Sequence, residues 1–198
     1  ERSSDGLKYR LGMQLVDLGF KVTRRMDLRR EALPFISNLA QKIDEAVDLS
    51  VFDQMQVLYV EMIQSHHALT IAATVGQRLP AYCTASGKLF LSMFPADQLE
   101  EYLKRPLQSF TRNTITDPDL IKKNLEEVRN NGFALDDEEF EVGVRAIAAP
   151  VFNQSKKIVA AVGIPGPASR LTHGRLLEIT PPLLQTTTEI SNRLGWSR

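Results

Sequence analysis

The sequence predicts an α/β domain of the α+β type, an antiparallel sheet of about six strands with helices on its faces. Three observations carry this. Two β-prone stretches, residues 49–53 and 57–63, are separated only by Gln54, Met55 and Gln56 and read as a hairpin, and residues 68–74 follow as a third strand. A second hairpin joins residues 144–152 to residues 158–164 through a turn at 153–157. A run of neighbouring strands favours antiparallel pairing over a doubly wound parallel sheet, which would alternate strand and helix.

The other elements follow in chain order. Lys8, Tyr9, Arg10 and Leu11 alternate like the tail of a strand, and the chain opens without an initiator Met, so a segment upstream of it is expected. Leu15, Val16, Leu18, Gly19 and Val22 suit a short amphipathic helix over 13–23. Asp27 is a candidate N-cap for a helix with Leu28, Ala32, Ile36, Leu39, Ile43 and Val47 at helical spacing, in which Pro34 imposes a kink or sits in the first turns. Thr84 or Ser86 can cap a helix through Leu89, Phe90, Leu91 and Met93 that stops at Pro95. Residues 95–103 suit a short helix, and Asp117 or Asp119 caps another that runs to Asn131 and closes at Gly132. Pro165, Gly166 and Pro167 should end the last strand sharply. The tail, 171–194, is helical in period, with a break or kink expected near Thr180 because Pro181 and Pro182 lack the N–H a helix needs.

Composition narrows the function. The chain of 198 residues suits one compact domain, or a domain plus a linker, and 24 basic residues balance 24 acidic ones. A formal net charge of zero provides no global basic field for holding DNA phosphates. The cluster Arg24, Arg25, Arg29 and Arg30 has Asp27 and Glu31 interleaved and reads as a solvated helix face. The single cysteine, Cys83, excludes an internal disulfide and suits a reducing cytoplasm; beside Tyr82 and Thr84, with no His or acid near it in sequence, it reads as a small buried residue rather than a nucleophile. No apolar run approaches the roughly 20 residues of a membrane span, and no signal pattern opens the chain, so a soluble cytoplasmic product without a membrane partner is expected. His66 and His67, adjacent on a strand, would point to opposite faces and lack spaced partners, so no metal is expected there, and no cofactor is implied.

The stretch from Gly132 to Asn153 is the most informative. A helix-closing glycine, an acidic rim over 136–141 and an apolar strand follow one another without a break. Gly132, Asp136, Glu139, Ala146, Ile147, Ala148, Val151, Phe152 and Asn153 fall at the spacing of the signature of IclR-type bacterial transcriptional regulators, and the chain resembles their C-terminal effector-binding domain. Leu79-Pro80 followed by Thr84-Ala85-Ser86-Gly87-Lys88 is a second point of resemblance. The resemblance covers nearly the whole chain and implies a GAF-like sheet preceded by a linker helix. It also implies a division into residues 1–24, the end of a winged helix-turn-helix wing with the linker helix, and 25–198, the effector-binding domain. The DNA reader itself would lie upstream.

A ligand site can be anticipated from both sources. Along a strand Val144, Ala146 and Ala148 share one face and Arg145 and Ile147 the other, so the small side chains leave a hollow. A helix starting near Thr84 would close that hollow with free backbone amides suited to a carboxylate, whereas a capped helix packed tightly through Gly87 is the plainer alternative. Arg145, facing away, would pair with the acidic cluster unless a bulge beside Gly143 turned it inward. The family resemblance places effector contacts at Ile71, Leu79, Ala85, Ser86, Asp136, Val144, Ala146, Gly163 and Pro165. In this reading Asp136 accepts from a ligand hydroxyl, Ser86 and its neighbouring amides hold a carboxylate, and Ile71, Leu79 and Val144 form an apolar wall. Family members that sense very small keto acids carry Cys at the position of Ala146 and Ser at those of Gly163 and Pro165. Loss of these polar anchors implies a larger or more apolar effector, an aromatic or sugar-derived acid.

These readings converge on a small-molecule sensing domain, not an enzyme, that controls an N-terminal winged helix-turn-helix. Its partners would be a carboxylate effector, further copies of itself in a dimer or tetramer, and promoter DNA reached only through that N-terminal domain. Part of a dimer contact is expected over 6–22. Two alternatives belong to other classes: a GAF-type module of another signalling protein, and an enzyme on the same fold using Cys83 or the pair Asp137 and Glu139.

Overall fold

A computed structural model of the chain describes residue 18, residues 27–69, residue 71 and residues 74–197. Apart from Leu18, which is helical and exposed, the expected wing remnant, linker helix and dimer contact lie outside the described residues, as do Arg24 and Arg25. The elements are α1 Asp27–Ile43, β1 Val47–Asp53, β2 Gln56–Ile63, β3 Arg78–Pro80, α2 Ala85–Ser92, α3 Ala96–Leu103, α4 Pro118–Asn131, β4 Ala134–Asp137, β5 Val144–Phe152, β6 Ile158–Pro167 and α5 His173–Arg193. The strands form one six-stranded sheet in the order β3-β2-β1-β6-β5-β4, and every described pairing is antiparallel. The α+β fold class and the antiparallel sheet are therefore as the sequence predicts.

Strict alternation along the strands sorts the side chains onto two faces. Val47 and Leu49 of β1, Val60 of β2, Ile147, Ala149 and Val151 of β5, and Ala160, Val162 and Ile164 of β6 pack with α1 and α5 in the largest core. The other face carries Asp48, Ser50, Tyr59, Asp136, Ala146, Ala148, Ala161 and Gly163, small or polar for the most part. Here α2 and α4 settle on Ala134, Ala148 and Ala161 through Ala85, Leu89, Phe90 and Val128. A third cluster joins Val57 and Tyr59 to α3, α4 and the segment around Tyr82.

Local chemistry accounts for the element ends. Asp117 accepts hydrogen bonds from the Asp119 and Leu120 amides at the start of α4, where Pro118 occupies the first turn, and Gly132 ends the helix in the left-handed region at φ 74°. Gln54 and Met55 form a two-residue turn with φ of 51° and 64°, a left-handed pair that matches the twist of the hairpin although neither residue is Gly or Asn. Thr84 precedes α2, but its hydroxyl donates to the Pro80 carbonyl at 2.8 Å and makes no cap bond to the helix.

Several expectations are corrected. Asp27 lies within α1 rather than outside it as a cap, and Val47 opens β1 instead of continuing the helix. Pro34 sits well inside α1. The third strand is Arg78–Pro80, paired with β2 through Gln56 to Leu58; the described residues of 68–74 are not in a strand. Pro165 does not stop β6, which runs on and ends at Pro167: β1 pairs with it only as far as Gly163 and among the described residues the remaining stretch has β5 as its one neighbour, where a proline costs no ladder bond on the open side. Pro181 and Pro182 are accommodated inside α5, which runs on without a break, and the Thr180 hydroxyl donates to the Leu176 carbonyl one turn earlier. Beta-strand β4 was not foreseen: four residues, two of them Asp, give no period to read.

The Asp117 cap offers a direct check. Asp117→Ala leaves two amides of the first turn of α4 without their acceptor and should lower unfolding free energy by about 1 kcal/mol, read as a lower urea midpoint at unchanged slope.

Candidate functional site

The small-residue face of the sheet and the start of α2 enclose a cavity of about 420 Å³. Each strand contributes. Leu79 comes from β3, Tyr59 from β2, Asp48 from β1, Gly163 and Pro165 from β6, Val144 and Ala146 from β5, and Asp136 from β4. The pairings Asp136↔Ala146↔Pro165 and Ala148↔Gly163↔Asp48 lay these residues in two adjacent rows across the sheet. Thr84, Ala85 and Ser86 close the cavity from above, with Leu69, Ile71, Gln77, Phe140 and Glu141 around the sides.

All nine residues anticipated as contacts, Ile71, Leu79, Ala85, Ser86, Asp136, Val144, Ala146, Gly163 and Pro165, line this one cavity. The sequence did not single out Asp48, Tyr59, Leu69, Gln77, Thr84, Phe140 or Glu141 for it. Asp48 had a readable signal: within Val47-Asp48-Leu49-Ser50 it is an acid in a strand whose neighbours are fully buried, and such a group demands a reason.

The electrostatics are unusual for so small a space. Asp136 is 5% exposed, and burial pushes its carboxyl up to about 7. Hydrogen bonds from the Glu139 and Phe140 amides and the charge of Lys88 oppose that rise, with the Glu139 amide 2.8 Å from Asp136 Oδ1. Asp48 is 3% exposed and burial lifts it to about 7 as well, offset in part by a hydrogen bond from the Gly163 amide. Asp48 Oδ1 is buried and finds no hydrogen-bond partner among the described residues. Burial and then the Asp48 and Asp136 charges hold the Tyr59 hydroxyl well above its ordinary range. Among the described residues, none that lines the cavity is Lys, Arg or His.

Behind the cavity, Lys88 of α2 and Glu139 form a buried ion pair. Glu139 in turn fixes a latch, its carbonyl accepting from the Thr114 hydroxyl at 2.6 Å, while the Thr111 hydroxyl donates to the Glu138 carbonyl at 2.7 Å. Arg145 points away from the cavity and meets Asp137 at 2.5 Å and Glu138 at 3.5 Å. The pair Asp137 and Glu139 is thus split between two different cations. Cys83 is wholly buried and its thiol is pushed up to about 12, first by burial and then by the Asp136 and Glu139 charges. His67 approaches Asp44 at 3.3 Å, and among the described residues no group of three or more His, Cys, Asp or Glu is placed to hold a metal. No described helix is long and apolar enough to cross a membrane.

The model for the C-terminal domain of the bacterial transcriptional regulator IclR matches residues 20–192. The chain belongs to the IclR family of bacterial transcriptional regulators. It is 32% identical over 190 residues to the HTH-type transcriptional regulator KipR of Bacillus subtilis, covering 96% of this chain and 76% of KipR. The crystal structure of Thermotoga maritima IclR is similar with a TM-score of 0.87 and 33% identity, over 98% of this chain and 79% of that one. The inducer-binding domain of the Acinetobacter transcription factor PobR, a double mutant in complex with 3-hydroxybenzoic acid, is similar with a TM-score of 0.77 and 28% identity, over 82% of this chain and 96% of that one. The fold is accordingly that of an IclR-type effector-binding domain.

Two outcomes follow from the charges. Lys88→Met strands a buried carboxylate and should cost about 3–5 kcal/mol in urea unfolding, much of it recovered in the Lys88→Met, Glu139→Gln double variant. Asp48 and Asp136 both titrate near 7 when folded, against 3.8 for the free group. The folded state therefore binds these protons more tightly, so the stabilisation is full below about pH 4 and is lost as pH rises through about 7. The urea midpoint should fall between pH 5 and pH 8, and Asp48→Asn should flatten that fall; an unchanged pH slope would contradict the burial argument.

Proposed function

We propose that the cavity binds a small organic acid and that binding controls a winged helix-turn-helix DNA reader N-terminal to this domain. The observation that carries this reading is the start of α2. Helix-start amides lack intrahelical partners, and Thr84, which could cap them, spends its hydroxyl on Pro80, so they and Ser86 are left to face the cavity. A carboxylate there would be held by backbone donors and the helix dipole without a cation, consistent with a lining devoid of Lys, Arg and His.

The middle of the cavity favours an apolar body. Ile71, Leu79, Phe140, Val144 and Ala146 supply hydrocarbon, and Gly163 and Pro165 supply no polar side chain. An aromatic acid suits this better than a very small keto acid, and PobR's inducer-binding domain holds 3-hydroxybenzoic acid. Asp136, opposite the amides, would accept from a ligand hydroxyl. In this reading residues 25–198 form the effector domain and residues 1–24 the end of the wing and the linker helix. Self-association as a dimer or tetramer would let the ligand shift one quaternary arrangement against another, in the cytoplasm where the DNA lies. No cofactor and no catalysis are involved. An enzyme using Cys83 is disfavoured because a buried thiol with so high a pKa supplies almost no thiolate.

A thermal-shift screen against aromatic acids, sugar acids and keto acids tests the proposal, since a ligand bound only by the native state raises Tm by mass action. Aromatic acids should give the largest shifts. Ala146→Leu, which fills the cavity from its floor, should abolish them while the protein still unfolds cooperatively. Shifts that survive Ala146→Leu would place the binding elsewhere.

A further inference from the structure

We infer that Asp48 is a specificity-determining residue of the cavity, the acceptor that selects effectors carrying a hydroxyl group remote from their carboxylate. The family reading gives the cavity an acid-binding end at α2; nothing in that reading requires an acid on β1. The inference rests on it only for the orientation of the ligand.

Three observations lead here. First, Asp48 is 3% exposed, lines the cavity, and its Oδ1 has no hydrogen-bond partner among the described residues. A buried carboxyl oxygen without a partner is costly, so it is retained against stability. Second, the one hydrogen bond Asp48 accepts, from the Gly163 amide, leaves Oδ1 unused. No described ion pair includes Asp48, and no cation lines the cavity. Third, the neighbouring strand makes room for it. A Cβ at Gly163 would lie 2.5 Å from Asp48 Oδ2 and 2.8 Å from Oδ1, so the bare backbone of β6 is what allows the carboxyl to stand at the cavity floor.

The location sets the ligand chemistry. Asp48 lies on β1, with β6 and β5 between it and Asp136 on β4, so the two carboxyls read different parts of a bound molecule. A ligand carboxylate is better served by the several free amides at the start of α2 than by the single carboxyl of Asp48. What suits Asp48 is a donor, and in a cavity also lined by Tyr59 and the bare Gly163 backbone a phenolic hydroxyl fits. A ligand lacking the hydroxyl leaves Asp48 Oδ1 buried without a partner, which is how a buried acceptor discriminates.

Calorimetric titration of the whole chain with 3-hydroxybenzoate, 4-hydroxybenzoate, benzoate and 3-hydroxybenzyl alcohol tests this. In wild type at least one hydroxybenzoate should bind about tenfold or more tightly than benzoate. Asp48→Val should erase that preference while keeping benzoate binding, and Asp48→Asn, which retains an acceptor oxygen, should restore part of it. Should Asp48→Val not fold, the comparison with Asp48→Asn alone decides. Asp48-dependent binding of 3-hydroxybenzyl alcohol with no binding of the acids would discard the acid-binding reading and leave the role of Asp48 standing. A hydroxyl preference that persists in Asp48→Val, or the failure of every hydroxylated probe to bind wild type, overturns the inference.

Discussion

The close seating of α2 is the constraint on which the rest of the structure depends. A Cβ on Gly87 would run into the Ala81 backbone, so the helix can lie where it does only with glycine at that position. Beneath it the sheet offers Ala134, Ala148 and Ala161, a floor without bulk. Helix α2 therefore comes down onto the sheet along its length while its first turn projects over the hollow at Ala146 and Gly163. The large side chains that stabilise the fold are displaced to the opposite face, where Ile147, Val151, Val162 and Ile164 meet α1 and α5. The largest core and the ligand space thus lie on different faces of one sheet.

The second consequence is electrostatic. Placing a helix start and three lining carboxyls, Asp48, Asp136 and Glu141, around one cavity without a lining cation would be strongly unfavourable if all the carboxyls were ionised. Burial resolves this by raising Asp48 and Asp136 towards neutrality. Lys88 contributes from behind, one turn into α2, where Glu139 holds it. That ion pair also ties α2 to the β4–β5 connection, and the Thr111 and Thr114 hydroxyls tie the same connection to the segment before α4. The two elements that present Ser86 and Asp136 to the cavity are consequently fixed relative to each other before any ligand arrives, which reduces the ordering cost of binding.

The fold was legible where local chemistry and periodicity agree. Residues 144–152 read as a strand because they form a short apolar run bounded by an acidic rim and a turn, and α4 because Asp117, Pro118 and Gly132 mark both ends. The failures have a common physical origin in tertiary context. Pro165 looks like a terminator, yet β6 carries it and stops only at Pro167, because β1 is already gone at that point. Residues 68–74 carry strand propensity, but the edge beside β2 is taken by Arg78–Pro80. In the cavity, the positions carried over by resemblance came together in space, whereas Asp48 and Tyr59 required knowing that β1 and β2 present their even and odd residues, respectively, to the same side as Ala146. Spacing within one segment cannot supply that register.

Gly163 shows why the pocket's polar groups cannot be read position by position. A side chain there and a carboxyl at residue 48 compete for the same volume, since a Cβ at 163 would already sit inside hydrogen-bonding distance of both Asp48 oxygens. The two strands are paired at this row, Asp48↔Gly163, so a side chain at 163 would have to turn the Asp48 carboxyl out of its present position. With the Asp48 carboxyl where it stands, the floor has no room for a side chain at 163. With Gly at 163 and Pro at 165, β6 presents only backbone and hydrocarbon, and the polar character of this part of the floor passes to the one side chain with space to provide it.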